Sequence, residues 1–278
     1  MNLRGRHFLT LRDFSAEEII HILDTAAELK SGHKLAARHL ERRSVVLIFQ
    51  KPSLRTRVSF EVGIQQLGGH PIYMEDFSAG IGRREPASDM ARVLSRYVAA
   101  IIARVFEHSI LEELARASEV PVINALSDFC HPCQVLADLL TIREKLGGLK
   151  GKKLAYVGDG NNVAVSLLYG ATRTGMSIFM ASPEGYRVPR EVFEEAEKET
   201  RKHGQVAIYT SDPLEAVREA DVIYTDVWAS MGQEKERETR KRAFKDYQVN
   251  EDLLQMAPPG AIVMHCLPAH YGEEITKE

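Results

Sequence analysis

A chain of 278 residues is longer than one typical domain, and its 44% hydrophobic and 27% charged residues are ordinary for a globular protein with a sizeable core. A formal charge of -3 excludes a general nucleic-acid or membrane-binding surface, so any anion site has to be a local cluster. The three cysteines, Cys130, Cys133 and Cys266, are too few for a secreted disulfide framework, and no apolar run approaches the roughly 18 residues of a membrane helix. Without a signal-like stretch in residues 1–6, a cytoplasmic protein with no membrane or nucleic-acid partner is expected.

Ser15 and Glu18 form a capping box ahead of Ile19, Ile20, Ile22 and Leu23, which predicts a helix running to about Lys30. The apolar run 45–49 then reads as a buried strand feeding a helix through Gln50-Lys51-Pro52 and Ser53-Leu54-Arg55-Thr56-Arg57. A helix start leaves backbone N–H groups unpaired at the positive end of its dipole. Two hydroxyls and two guanidinium forks there make a phosphate cradle, the simpler reading being an exposed helix start capped by Ser53. Gly68-Gly69 stops the helix, a short strand follows at 70–74, and 76–86 is a polar, glycine-bearing loop suited to moving or to reaching a neighbour.

A helix with Met90, Val93, Leu94 and Tyr97 on one face comes next, then strand 99–103 ending at Arg104, helix 110–117 and strand 120–124. Pro132 opens a long helix through Gln134 to Ile142. Gly147-Gly148-Leu149-Lys150-Gly151 is the domain boundary, giving domains 1–146 and 147–278. Beyond it come strand 153–157, turn 158–162, helix 163–174, strand 177–181, helix 190–203, strand 206–209, helix 213–219, strand 222–225 and strand 261–264. Alternating strands and helices predict an α/β fold: two similar-sized domains, each a parallel sheet flanked by helices, with a cleft between them. The polar clusters Ser53 to Arg57, Arg104, His131, Asn161-Asn162, Asp226 and Cys266 all fall at carboxyl ends of strands, where open α/β sheets bind ligands.

Cys130-His131-Pro132-Cys133 has redox spacing, but it lies far from the start of its domain and no second Cys/His pair completes a metal site. His131 and Gln134, one turn apart, read better as donors to a ligand oxygen. Gly158-Asp159-Gly160 imitates a dinucleotide fingerprint, yet Val163 replaces its third glycine and Asp159 opposes a pyrophosphate, so an NAD enzyme is a weak alternative. Asn161 and Asn162 either hold a polar or zwitterionic substrate or simply cap their helix. Asp226 suits a ligand ammonium group or a salt bridge, Met231-Gly232 gives its loop adaptability, and Cys266 is a nucleophile or a small buried thiol.

Taken together, Lys51 to Arg57, Ala103-Arg104-Val105-Phe106, His131-Pro132-Cys133-Gln134, Gly158 to Asn162, Asp226 to Gly232 and His265-Cys266-Leu267-Pro268 resemble the aspartate/ornithine carbamoyltransferase family, on its ornithine branch. The resemblance implies that Ser53, Leu54, Arg55, Thr56, Arg104, His131, Pro132, Cys133, Gln134, Cys266 and Leu267 bind carbamoyl phosphate. It implies that Asn162, Asp226, Ser230 and Met231 bind L-ornithine, with Arg55, Thr56, Arg104, His131, Asp226 and Cys266 as the catalytic set. No metal, no cofactor and a homotrimer are implied. Another amine acceptor such as putrescine or an acylated ornithine, or a non-catalytic ligand-binding remnant, are the alternatives. Leu54 stands where the family usually has Thr, and Gly80 where relatives carry Gln or His reaching from an adjacent subunit. The family also continues past the position of Glu278 through a helix with another phosphate-binding arginine.

Overall fold

A computed structural model describes residues 2–32, 38–75, 80–81, 84–202 and 204–278. The chain divides into two compact units, Met1–Cys133 and Gln134–Glu278. This division counts nearly all of the helix opening at Pro132 with the second unit, whereas the boundary expected from sequence counts it with the first.

The first unit runs α1 (Ala16–Lys30), β1 (Ser44–Phe49), α2 (Leu54–Gln66), β2 (His70–Glu75), α3 (Ala87–Leu94), β3 (Ala100–Arg104), α4 (His108–Ala117) and β4 (Val122–Leu126). Its parallel sheet has the order β2-β1-β3-β4. Strand β1 is buried on both faces, as its unbroken apolar run requires. Val46 and Ile48 pack toward Met90, Ala91, Leu111 and Leu114 of α3 and α4, while Val45, Leu47 and Phe49 pack with Ile64 of α2. The capping box forms as expected, Ser15 and Glu18 exchanging hydrogen bonds at the head of α1.

The second unit follows α5 (Pro132–Leu146) with β5 (Lys153–Val157), α6 (Asn162–Arg173), β6 (Ser177–Ala181), α7 (Arg190–Lys202), β7 (Ala207–Thr210), α8 (Pro213–Val217), β8 (Val222–Thr225), α9 (Arg237–Ala243), α10 (Glu251–Gln255) and β9 (Ile262–His265). The sheet is again parallel, ordered β7-β6-β5-β8-β9. Helix α6 is buried on all sides from Val163 to Thr172.

Several expectations shift. Met90 is buried and Leu94 packs on the core, but Val93 and Tyr97 are exposed, with Tyr97 past the end of α3. Helix α4 begins two residues earlier than its apolar pattern implied, with no side-chain cap to mark the start. Helices α9 and α10 were not expected: Arg-Glu-Thr-Arg-Lys-Arg-Ala carries no apolar stripe, and α10 is only five residues long. Most of loop 76–86, and His203 at the expected end of α7, lie outside the described residues.

Candidate active site

In each unit strands are first added on one side of the first strand and then on its other side, β2 before β3 around β1, and β6 and β7 before β8 around β5. This creates a switch point between β1 and β3, and another between β5 and β8. Loops leaving adjacent strands at such a point diverge and open a crevice. Register brings Phe49 opposite Arg104 and Arg104 opposite Leu126 in the first sheet, and Thr225 opposite His265 in the second.

At the first switch point Ser53 caps α2, its oxygen accepting the Thr56 backbone N–H at 3.3 Å. The Ser53 hydroxyl donates to Thr56 Oγ1 at 3.0 Å, and Arg104, at the end of β3 and 8% exposed, donates to the same oxygen at 3.3 Å. A threonine oxygen that accepts twice still has its own O–H to give. The first-turn amides of Leu54 and Arg55 have no intrahelical acceptor. The two arginines flanking Thr56 part company. Arg57 pairs with Glu61 at 3.0 Å and stacks over Tyr73 at 3.7 Å, so it belongs to the scaffold. Arg55 is exposed, and among the described residues its guanidinium is engaged in no hydrogen bond or ion pair.

Burial and the neighbouring Arg104 cation lower the His131 pKa to about 3, so its imidazole is neutral at physiological pH. Burial raises the Cys130 and Cys133 thiols to about 12, the reverse of what redox chemistry needs. Cys133 turns its sulfur to the Asn124 carbonyl at 3.3 Å, which leaves its backbone amide, on the first turn of α5, as its contribution to a ligand. Pro132 has no N–H to offer. Lys51, which sequence reasoning did not single out, is buried, ion-paired to Asp128 and set 4.6 Å over the Phe106 ring. It ties the loop after β1 to those after β3 and β4.

At the second switch point Asn161 caps its helix, one of the two readings that sequence left open, and also reaches Asp226. Its Oδ1 accepts from the amides of Val163 and Ala164, capping α6, and its Nδ2 donates to Asp226 Oδ2 at 2.8 Å. Asn162 opens the helix beside it. The Cys266 thiol donates to the other oxygen of the buried Asp226 at 3.0 Å. Burial first, and then the Asp226 charge, push the Cys266 pKa far up, so it is a neutral thiol rather than a nucleophile. Leu267 holds φ +62°, a left-handed conformation rare for a branched side chain, and its amide donates to His265 Nδ1 at 2.8 Å. His265 Nε2 then faces the fully buried Glu274 at 3.1 Å. The Ser230-Met231-Gly232 turn is closed by Gln233, and the Met231 side chain is exposed. Gln134 Nε2 donates to Asp138 at 3.0 Å, which leaves Oε1 and the second N–H of the amide for a ligand.

The dinucleotide-like turn is filled by the protein itself. A Cβ on Gly160 would sit 2.3 Å from the Val188 nitrogen, and Asp159 is paired at 3.0 Å with the buried Arg240. The glycine serves a close approach of backbone 186–188 and leaves no room there for a pyrophosphate. Two groups, Asp226-His265-Cys266 and His270-Glu273-Glu274, bring metal-capable atoms within 4.8 Å. Several of these atoms are engaged by the protein: both His265 nitrogens are bonded, and Glu273 pairs with Arg237 and with Lys241.

Residues 6–144 match the sequence model of the aspartate/ornithine carbamoyltransferase carbamoyl-P binding domain, and residues 150–278 match that of the Asp/Orn binding domain. The chain belongs to the aspartate/ornithine carbamoyltransferase family. Within it, the chain is 52% identical to an ornithine carbamoyltransferase of Pyrococcus abyssi over all of this chain and 88% of that protein. It is 54% identical to one of Acidothermus cellulolyticus over 98% of this chain and 87% of that protein. The solved ornithine carbamoyltransferase of Pyrococcus furiosus superposes with a TM-score of 0.96 at 52% identity, covering all of this chain and 89% of that one. Each family domain therefore contributes one sheet, one switch point and one cluster of polar side chains.

Proposed function

We infer that this carbamoyltransferase moves the carbamoyl group of carbamoyl phosphate to the δ-amine of L-ornithine, giving L-citrulline and phosphate, the transfer used in arginine metabolism. The observation that carries the reading is identity above 50%, over at least 98% of this chain and 87% of each relative, with proteins named for that reaction. The geometry supplies a role for each group. Arg55, Ser53 and the amides of Leu54 and Arg55 take the phosphate, with the Cys133 amide added from α5. The Thr56 O–H, Arg104 and neutral His131 donate to the carbonyl oxygen as it gains charge, an oxyanion-hole arrangement. Gln134 Oε1 accepts from the carbamoyl NH₂.

On the other substrate, Asn162, Ser230 and Met231 line the amino-acid end and Asp226 holds the amine. Only an uncharged amine attacks, so a proton must leave it. Asp226 is the acceptor, with Asn161 and the Cys266 thiol fixing both of its oxygens; Leu267 shapes the turn between them. The C–N bond forms, the bond from the carbamoyl carbon to the phosphate oxygen breaks, the nitrogen gives its remaining surplus proton to the leaving phosphate, and hydrogen phosphate departs toward Arg55. No covalent enzyme intermediate is needed. Residues 1–146 act as the carbamoyl-phosphate domain and 147–278 as the ornithine domain.

The exposed apolar residues Leu54, Val58 and Val62 on one stripe of α2, with Ile72 on edge strand β2, support a homotrimer built on this unit. The reducing environment that three free thiols call for supports a cytoplasmic setting. Incubation with carbamoyl phosphate and ornithine tests the transfer: citrulline is expected, and phosphate release without citrulline would favour a binding remnant.

A further inference from the structure

The mechanism above gives no role to the buried carboxyl of Asp138. Asp138, on α5 and 5% exposed, accepts from two neutral donors: Gln134 Nε2 at 3.0 Å and the Tyr224 hydroxyl at 3.0 Å. No cation faces it among these partners, and the charge that acts on it, Asp226, has the same sign. A carboxylate buried on neutral donors costs stability that a neutral isostere would recover. A packing role alone does not explain it.

Its two partners lead to opposite substrates. Gln134 is the amide assigned to the carbamoyl NH₂. Tyr224 lies in β8 two residues before Asp226, and its hydroxyl sits beside the Cys266 sulfur, which donates to Asp226 at 3.0 Å. Asn161 completes the line at 2.8 Å. Burial raises the Asp138 pKa to about 7, while the bonds from Gln134 and Tyr224 favour its ionised form; that form only accepts, so it dictates which end of the Gln134 amide faces it and to which neighbour the single Tyr224 proton is given.

We propose that Asp138 is a positioning residue that sets the Gln134 amide for the carbamoyl group and, through Tyr224, the Cys266 thiol against Asp226. This rests on the transfer reading for the identity of the two ligands. An amide at position 138 has one acceptor oxygen for two donors, and its NH₂ forces either Gln134 to turn over or Tyr224 to release its bond.

The test compares Asp138→Asn, Tyr224→Phe and the double variant with the wild type, by steady-state kinetics, by thermal unfolding, and by calorimetric titration with carbamoyl phosphate alone. Asp138→Asn is expected to lower kcat/KM about tenfold and to weaken carbamoyl phosphate about tenfold, the scale on which losing a support of a liganding group acts. Its Tm should hold or rise. Tyr224→Phe should lower kcat while carbamoyl phosphate binding stays within about twofold, and the double variant should lose less than the product of the single losses. An Asp138→Asn protein with binding and kcat/KM within about twofold of wild type overturns the proposal, as do multiplicative effects in the double variant. A lowered Tm with unchanged constants also overturns it. If Asp138→Asn does not fold, an unchanged kcat in Tyr224→Phe overturns it alone. The titration needs no turnover, so a wild type that forms no citrulline refutes the transfer reading while the titration still judges Asp138.

Discussion

Arg55 and Arg57 are two residues apart and chemically identical, yet the fold gives them different work. Arg57 is held by Glu61 and Tyr73, whereas Arg55 has its fork available for a dianion. Arg55→Ala should therefore remove transition-state stabilisation on the order of 3 kcal/mol, read as kcat/KM, by analogy with deleting one oxyanion donor. A loss below about 1 kcal/mol would mean that the cradle is misassigned. His131 gives a pH prediction. Its folded pKa of about 3 lies below the unfolded value of 6.5, so the unfolded chain binds the extra proton as pH falls from 6.5. Stability should decline there by up to about 1.4 kcal/mol per pH unit from this group, and His131→Asn should flatten the Tm profile between about pH 6.5 and 5. A variant that declines as steeply as the wild type would contradict the neutral imidazole. Cys266, held as a thiol by burial and Asp226, should alkylate far more slowly in the native protein at pH 8 than after unfolding. Labelling at equal rates would contradict that environment.

The elements matter through where they end. Thr56 with Arg104, and Asn161 with Asp226, are hydrogen bonds across the two switch points, each joining a helix start to the end of a neighbouring strand. Much of this was legible in the sequence because unbroken apolar runs such as 45–49 can only be buried parallel strands, and polar residues directly after them mark carboxyl ends. The Ser15 capping box and the proline opening α5 were legible for the same local reason. What stayed hidden depended on packing between distant segments: α9 is pinned by Arg240 reaching Asp159 and the Trp228 carbonyl. The dinucleotide-like turn misleads for that reason too, since its glycine answers to backbone 186–188. Gly160→Ala should then destabilise the second domain by about 1–3 kcal/mol, as forced overpacking does, and a Tm equal to wild type would contradict the close approach.

At the scale of the whole molecule, the chemistry is divided between two domains of one plan. The first offers fixed cations, hydroxyls and a helix start for an anion. The second offers a buried carboxylate held on both oxygens for a cation that must become neutral. The family's two domain models fall on these two sets. The central claim is that the second set accepts ornithine in preference to other amines. Its most direct measurement is product formation from carbamoyl phosphate with L-ornithine, putrescine, an N-acylated ornithine and L-aspartate offered separately, with carbamoylated product and phosphate both quantified. The account predicts citrulline and phosphate in equal amounts and the highest kcat/KM for ornithine; a higher kcat/KM for any other acceptor, or phosphate released without carbamoylated product, would contradict it.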